Sequence, residues 1–172
     1  GKDSVGYVTS PKFGPAKEWK TVEWSGKSLE ATSTDHASID VFGVNTAGDT
    51  TKLYTLDGGT SSLDISAVNP KQYPYVQLRM RNADSINYTP YQLDYWRVLY
   101  TPVPEGALAG NIALEKEDTL NLGDDYNFAI AFKNVSDQVY NDSIKAVVTI
   151  KDTSNNTFTI PVNRLKPLAP GD

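Results

Sequence analysis

The chain has 172 residues, of which 39% are hydrophobic and 10% aromatic, no cysteine and a formal net charge of −5. The missing cysteines exclude disulfides, thiolate zinc sites and cysteine nucleophiles within the chain, and the mildly acidic balance offers no basic patch for nucleic acid or an anionic membrane. No apolar run approaches the ~20 residues that a membrane-spanning helix needs, so we expect no membrane insertion.

The first hundred residues consist of short strand-like runs separated by turn residues, and none of their segments shows helical spacing of apolar side chains. Seven strands with turns every eight to twelve residues are typical of a β-sandwich. The predicted strands are Ser4–Thr9, Lys17–Ser25, Ser38–Val44, Thr51–Leu56, Leu63–Ser66, Tyr73–Arg81 and Tyr91–Tyr100.

The last two of these strands organise the region. In the first, Val76, Leu78 and Met80 alternate with polar residues, which predicts a half-buried strand. The second carries bulky residues on both faces, so either it is central in its sheet or a bulge near Asp94 shifts its pattern.

Three arginines on this pair of strands are expected to share one exposed sheet face. Such a cross-strand ladder is normally structural, and its charge pairs contribute little where solvent reaches them. The residues concerned are Arg79, Arg81 and Arg97, with Gln77, Gln92 or Asp94 as partners.

Two prolines in Pro102–Gly106 predict a semi-rigid linker, because each fixes φ and removes a backbone donor. The chain is thus expected to divide into domains 1–103 and 104–172. The second has about five alternating segments where a complete sandwich has seven, which leaves open whether it is complete and predicts an exposed sheet edge. These segments are Asn111–Glu115, Thr119–Leu122, Tyr126–Lys133, Ile144–Ile150 and Phe158–Val162.

The first domain resembles the jelly-roll sandwiches of the galactose-binding-like superfamily in Ile39–Val41, Leu63–Ser66, Tyr73–Arg79 and Tyr88–Tyr100. More narrowly, Asn82–Ser85, Thr89–Pro90 and Asp94–Leu108 resemble a stretch of large bacterial surface proteins of the gingipain-like peptidase group, often called type IX secretion sortase-like. The second domain resembles cell-adhesion-related immunoglobulin-like domains in Asn111–Asn134.

These resemblances imply an all-β chain, a jelly-roll β-sandwich followed by an immunoglobulin-like β-sandwich. They also imply a non-catalytic accessory part of a secreted or cell-surface protein, cut from a longer chain whose other domains are its partners. The group's catalytic cysteine and histidine have no counterpart here, so the resemblance implies neither an enzyme nor a cofactor.

A short motif, Asp followed by Ser or Thr and then an aliphatic residue or Thr, resembles the O-glycosylation site of such bacteria. The alternative is that these are ordinary turn dipeptides whose side chains bond the local backbone. The candidate hydroxyls are Ser4, Thr50, Ser85, Thr119 and Ser143.

Catalysis has little support in the sequence. His36 is the single histidine, and a triad built from its neighbours Asp35 and Ser33 or Ser38 is disfavoured because triad groups converge from different elements. The carboxylate pairs at 115 and 117 and at 124 and 125 are better explained as solvated edges than as a glycosidase pair. Acidic turns such as Asp57–Gly59 lack the spacing of a calcium loop, so we predict no metal site.

Carbohydrate binding is the principal alternative function, because sugar sites commonly combine stacking aromatics with polar hydrogen bonds. The competing interpretation is that the aromatics fill a small core. Trp19 and Trp24 have odd spacing, which puts the two indoles on opposite faces unless a bulge intervenes. The candidate sugar-binding aromatics are Trp19, Trp24, Tyr54, Tyr88 and Tyr91.

Overall fold

The chain is all-β. A computed structural model describes residues 3–121, 123–162 and 165–172, and these contain strands but no helix. They fall into two compact units, Gly1–Val103 and Pro104–Asp172, called unit 1 and unit 2 below. In the described ranges, no helix could cross a membrane.

Unit 1 is a sandwich of two antiparallel sheets, one with the order β1-β6-β3-β4 and the other with the order β5-β2-β7. Buried side chains from both sheets, among them Val22 and Val98 of one and Val41 and Leu78 of the other, form a common core. The strands are β1 (Val5–Phe13), β2 (Ala16–Lys27), β3 (His36–Val44), β4 (Thr50–Asp57), β5 (Ser62–Asp64), β6 (Tyr75–Ala83) and β7 (Gln92–Pro102).

The alternation predicted for β6 is confirmed, since Val76, Leu78 and Met80 are buried. The central position considered for β7 is wrong, because β7 lies at the edge of its sheet. Its pairing with β2 shifts register beside Asp94, where the extra residue of a bulge moves the following side chains to the opposite faces. The bulge lets Leu93 and Trp96 both pack against the core despite their odd spacing, whereas Tyr95 and Leu99 are exposed on the outer face.

Of the two alternatives for Trp19 and Trp24, opposite faces or an intervening bulge, the structure shows the bulge: each indole is 2% exposed. The register of β2 against β7 shifts between Trp19 and Thr21, and this extra residue brings both indoles to the core face despite their odd spacing. The indole nitrogen of Trp19 donates to the Tyr73 carbonyl at 3.0 Å. That of Trp24 donates to the Thr60 carbonyl at 2.6 Å.

Most strands of unit 2 are shorter than predicted, and the last one keeps its predicted length. They pair as three two-stranded sheets, β8 with β11, β9 with β10 and β12 with β13. The continuous strand predicted over 126–133 is broken into β10 and β11, and Tyr126 and Phe128 are about half exposed rather than in a core. The strands are β8 (Gly106–Leu108), β9 (Leu114–Glu115), β10 (Ala129–Ile130), β11 (Phe132–Asn134), β12 (Val147–Lys151) and β13 (Thr157–Pro161).

The strand predicted over 119–122 is also wrong for residues 119–121, which belong to no strand, and Leu122 lies outside the described residues. The most deeply buried side chain among the described residues of unit 2 is polar instead. Asn134 is fully buried, and its amide nitrogen donates to the carbonyls of Gln138 and Ala169 at 2.7 and 3.1 Å. Its amide oxygen accepts from the backbone and hydroxyl of Ser136, so the side chain joins three segments of backbone.

Candidate functional site

The five aromatics considered for sugar binding do not form one surface. Besides the two buried indoles, Tyr54 and Tyr91 are half-buried and pack against the core, and Tyr91 lies 6.1 Å from the Trp24 ring. Burial, together with the nearby charge of Asp94, raises the pKa of Tyr91. Only Tyr88 of the five is exposed.

The densest polar cluster of unit 1 surrounds Asp84, which follows β6 and begins the loop to β7. The residue is buried, and its carboxylate accepts hydrogen bonds from the backbone of Ile86, Asn87 and Thr89 at 2.9, 3.1 and 3.0 Å. The Thr34 hydroxyl, from the loop before β3, donates to it at 2.9 Å. Asp84 thus fixes the shape of its own loop and ties it to a second loop.

These hydrogen bonds outweigh the cost of burying the charge. Burial alone would raise the pKa of Asp84, but the backbone donors of Ile86, Thr89 and Asn87, with the Thr34 hydroxyl, lower that pKa well below its ordinary value. A carboxylate held in its charged form by this many donors is a structural anion rather than a proton-transfer group poised near neutral pH.

Glu30 reinforces the same loop from the other side. Its carboxylate accepts from the Thr89 hydroxyl, from the Asn87 amide at 3.0 Å and from the Thr34 backbone at 3.4 Å. The bonds from Thr89 and then Asn87 lower the pKa of Glu30. We call Glu30, Thr34, Asp84, Asn87 and Thr89 the loop clasp. The sequence contained one signal for it, the Asp-Ser-Ile-Asn turn pattern.

The loop clasp positions Tyr88 at the mouth of a shallow cavity of about 260 Å³. Tyr88 has a φ of +59°, a left-handed conformation that is uncommon for a bulky side chain, and 44% of it is exposed. Ser4, Asn82 and Thr89 also line the cavity. Tyr91 and Trp24 also line cavities of the described structure, but Tyr91 is half-buried and Trp24 is buried. Tyr88 is the candidate whose ring is exposed beside a cavity.

The candidate glycosylation hydroxyls are dispersed. Four of them are exposed and Ser143 is half-buried. The aspartate that precedes Ser85 is Asp84, whose carboxylate caps the loop backbone, as the turn-chemistry interpretation predicts. The modification itself stays a prediction. The exposed positions are Ser4, Thr50, Ser85 and Thr119.

No triad geometry surrounds His36, which is exposed at the beginning of β3. The Ser33 hydroxyl bonds to Asp35 at 3.3 Å, not to the imidazole. Both predicted carboxylate pairs, at 115 and 117 and at 124 and 125, are exposed. Within the described part of the chain, no three His, Asp or Glu side chains are grouped as they would be around a metal ion.

The arginines do not form the predicted ladder, because β6 and β7 belong to different sheets. Arg79 lies over the Phe42 and Tyr7 rings, at 4.8 and 5.3 Å from their centroids, and 3.5 Å from Asp40. Arg97, on the other sheet, pairs with Glu23 across β2 and β7. Both arrangements anchor strands on the outer faces of the sandwich.

Three comparisons with known proteins return nothing: no protein-family model, no curated protein and no solved structure matches the chain. The resemblances to galactose-binding-like, gingipain-like and immunoglobulin-like domains therefore stay predictions. Function has to be argued from the chain's own geometry.

Proposed function

We propose that the chain is a non-catalytic accessory module of a secreted or cell-surface bacterial protein, which spaces or docks a larger assembly. The observation that supports it most is the loop clasp. In this dense group of polar and acidic side chains, the hydrogen bonds connect residues of the two loops to one another. The group therefore stabilises the shape of a surface and is not arranged for a chemical reaction. The extracytoplasmic location rests on the sequence resemblance alone.

A second candidate, carbohydrate binding, has one observation in its favour: the exposed Tyr88 ring beside a cavity whose lining includes hydroxyl and amide groups. A sugar could stack on the ring and bond to the neighbouring hydroxyl and amide groups. The core indoles have no part in this version, since neither reaches the surface.

Glycan-array screening of the whole chain separates the two. The accessory function predicts no glycan-dependent signal for the chain. Saturable binding that Tyr88→Ala abolishes, while Tyr95→Ala on the outer face of β7 leaves it intact, would replace the accessory function with carbohydrate recognition. Circular dichroism should show both variants folded, so that a loss of binding reports the missing ring.

A further inference from the structure

Unit 2 leaves strand edges open beside an apolar groove. Each of its described sheets has two strands, so every strand has a ladder partner on one edge at most. The groove has a volume of about 590 Å³ and is lined by side chains of β8, β10, β11 and β12 and of the segments beside them. The exposed side chains that line it include Leu108, Phe128, Val147 and Val162.

One edge of β12 pairs with β13, and the backbone groups of the other edge point away from this hairpin partner. Val162 donates to the Ala146 carbonyl and Asp152 donates to the Asn156 carbonyl, which fixes the even-numbered residues of β12 as those bonded to β13. Val147 and Thr149 therefore direct their N–H and C=O groups outward, and Val147 lines the groove.

The far edge of the hairpin is protected and the groove edge is not. On β13 the residues that point outward include Thr159 and Pro161, which pair with Thr149 and Val147. Pro161 has no N–H, so it blocks pairing along that edge. No proline lies within β12, and its outward groups remain able to bond to another strand.

The strand formed by β10 and β11 borders the same groove with a second open edge. The backbone N–H and C=O groups of Ala131 both bond toward the segment at 109–113. By alternation, Ile130 and Phe132 direct their backbone groups the other way, and both residues line the groove. An apolar groove with backbone donors and acceptors along its rims matches an extended polypeptide better than a helix or a lipid chain, neither of which offers free backbone groups.

Charge narrows the choice of polypeptide. Residues 104–172 carry six basic and ten acidic side chains, and of the residues that line the groove Lys145 alone is charged. The acidic excess therefore lies on the surface around the groove, where it favours a neutral or basic segment through longer-range attraction. A second copy of this chain, with its net charge of −5, would instead add repulsion. We propose that unit 2 binds an extended, neutral or basic segment of another polypeptide by β-strand addition, with its alternate apolar side chains in the groove. This inference deepens the proposed docking function and rests on it.

The test measures, by fluorescence anisotropy, the binding of the whole chain to a fluorescent synthetic peptide of alternating valine and lysine. We expect saturable binding, weakened at least about tenfold when every backbone nitrogen of the peptide is methylated or when its valines are grouped in one block. A peptide with glutamate in place of lysine should bind more weakly at low salt.

Two variants at one ladder pair provide a matched comparison. Thr149→Pro removes an outward donor on the groove edge, and Thr159→Pro removes the outward donor on the far edge, while neither removes a bond of the hairpin. Only Thr149→Pro should weaken peptide binding about tenfold or more. Val147→Glu, which changes an exposed side chain in the groove and leaves the backbone intact, should do the same if Thr149→Pro misfolds.

Several results overturn the proposal. A folded chain that binds none of the peptides refutes strand addition, as does binding that backbone methylation or Thr149→Pro leaves unchanged. Self-association in sedimentation velocity that Thr149→Pro abolishes assigns the groove to a second copy instead. If the peptides fail while the glycan array stays silent, the accessory function stands and only the groove assignment falls. A Tyr88-dependent glycan signal removes the accessory function whatever the peptides do.

Discussion

Trp19→Phe is the sharpest test of the buried-indole arrangement, because the odd spacing of Trp19 and Trp24 puts the two indoles on opposite faces unless a bulge intervenes. The substitution removes the hydrogen bond to the Tyr73 carbonyl and part of a side chain that is 2% exposed between the two sheets. An unmade hydrogen bond costs about 1–3 kcal/mol, and the space left by the smaller ring adds to that cost. We expect unit 1 to lose about 2–4 kcal/mol of stability, which for a domain of this size lowers Tm by about 10–25 °C.

Differential scanning calorimetry of the whole chain gives the measurement, with the transition of unit 1 assigned by near-ultraviolet circular dichroism of its tryptophans. Trp96→Phe is the matched control, since Trp96 lies on β7 of the same sheet and is only half-buried. It should cost clearly less than Trp19→Phe. Equal effects of the two variants, or a loss below about 1 kcal/mol for Trp19→Phe, would show that the bulge in β2 does not bring Trp19 into the core.

Three further predictions test other parts of unit 1. Gly43→Ala should destabilise it by about 1–3 kcal/mol in urea, because the new Cβ would lie 2.6 Å from the Tyr73 ring, whereas Gly59→Ala, with open space around it, should be nearly neutral. The pKa of Asp84 lies below its ordinary value, so its contribution to stability is complete above the unfolded-state pKa of about 4 and is lost as the pH falls through the folded-state pKa. The gap in urea midpoint between wild type and Asp84→Asn should therefore narrow from pH 5 to pH 2, and a constant gap would contradict the charged clasp. Arg97→Ala should cost no more than about 1 kcal/mol in the same assay, because its ion pair is exposed.

The candidate sites show where prediction from sequence stops. Tyr88 was among the residues considered, yet the reason for its position, the loop clasp, includes Glu30 and Thr34 from a loop more than fifty residues away. The turn formed by Asp84 can be predicted from neighbouring residues in the sequence. The contacts of Thr34 and Glu30 with the same loop cannot, because no local pattern indicates them. The small number of strands predicts an exposed sheet edge in the second domain, but it does not predict where that edge lies.

The sequence by itself determined the all-β class and the core faces of regular strands such as β6. Both follow from a period-two alternation that each strand carries within its own residues. Only the tertiary structure decided which indoles are buried, where β7 lies in its sheet and which edges of unit 2 stay open. A single bulge reverses the face of every later residue in its strand, and pairing joins segments far apart in the chain. The information for those choices lies in contacts between strands, which no local pattern contains.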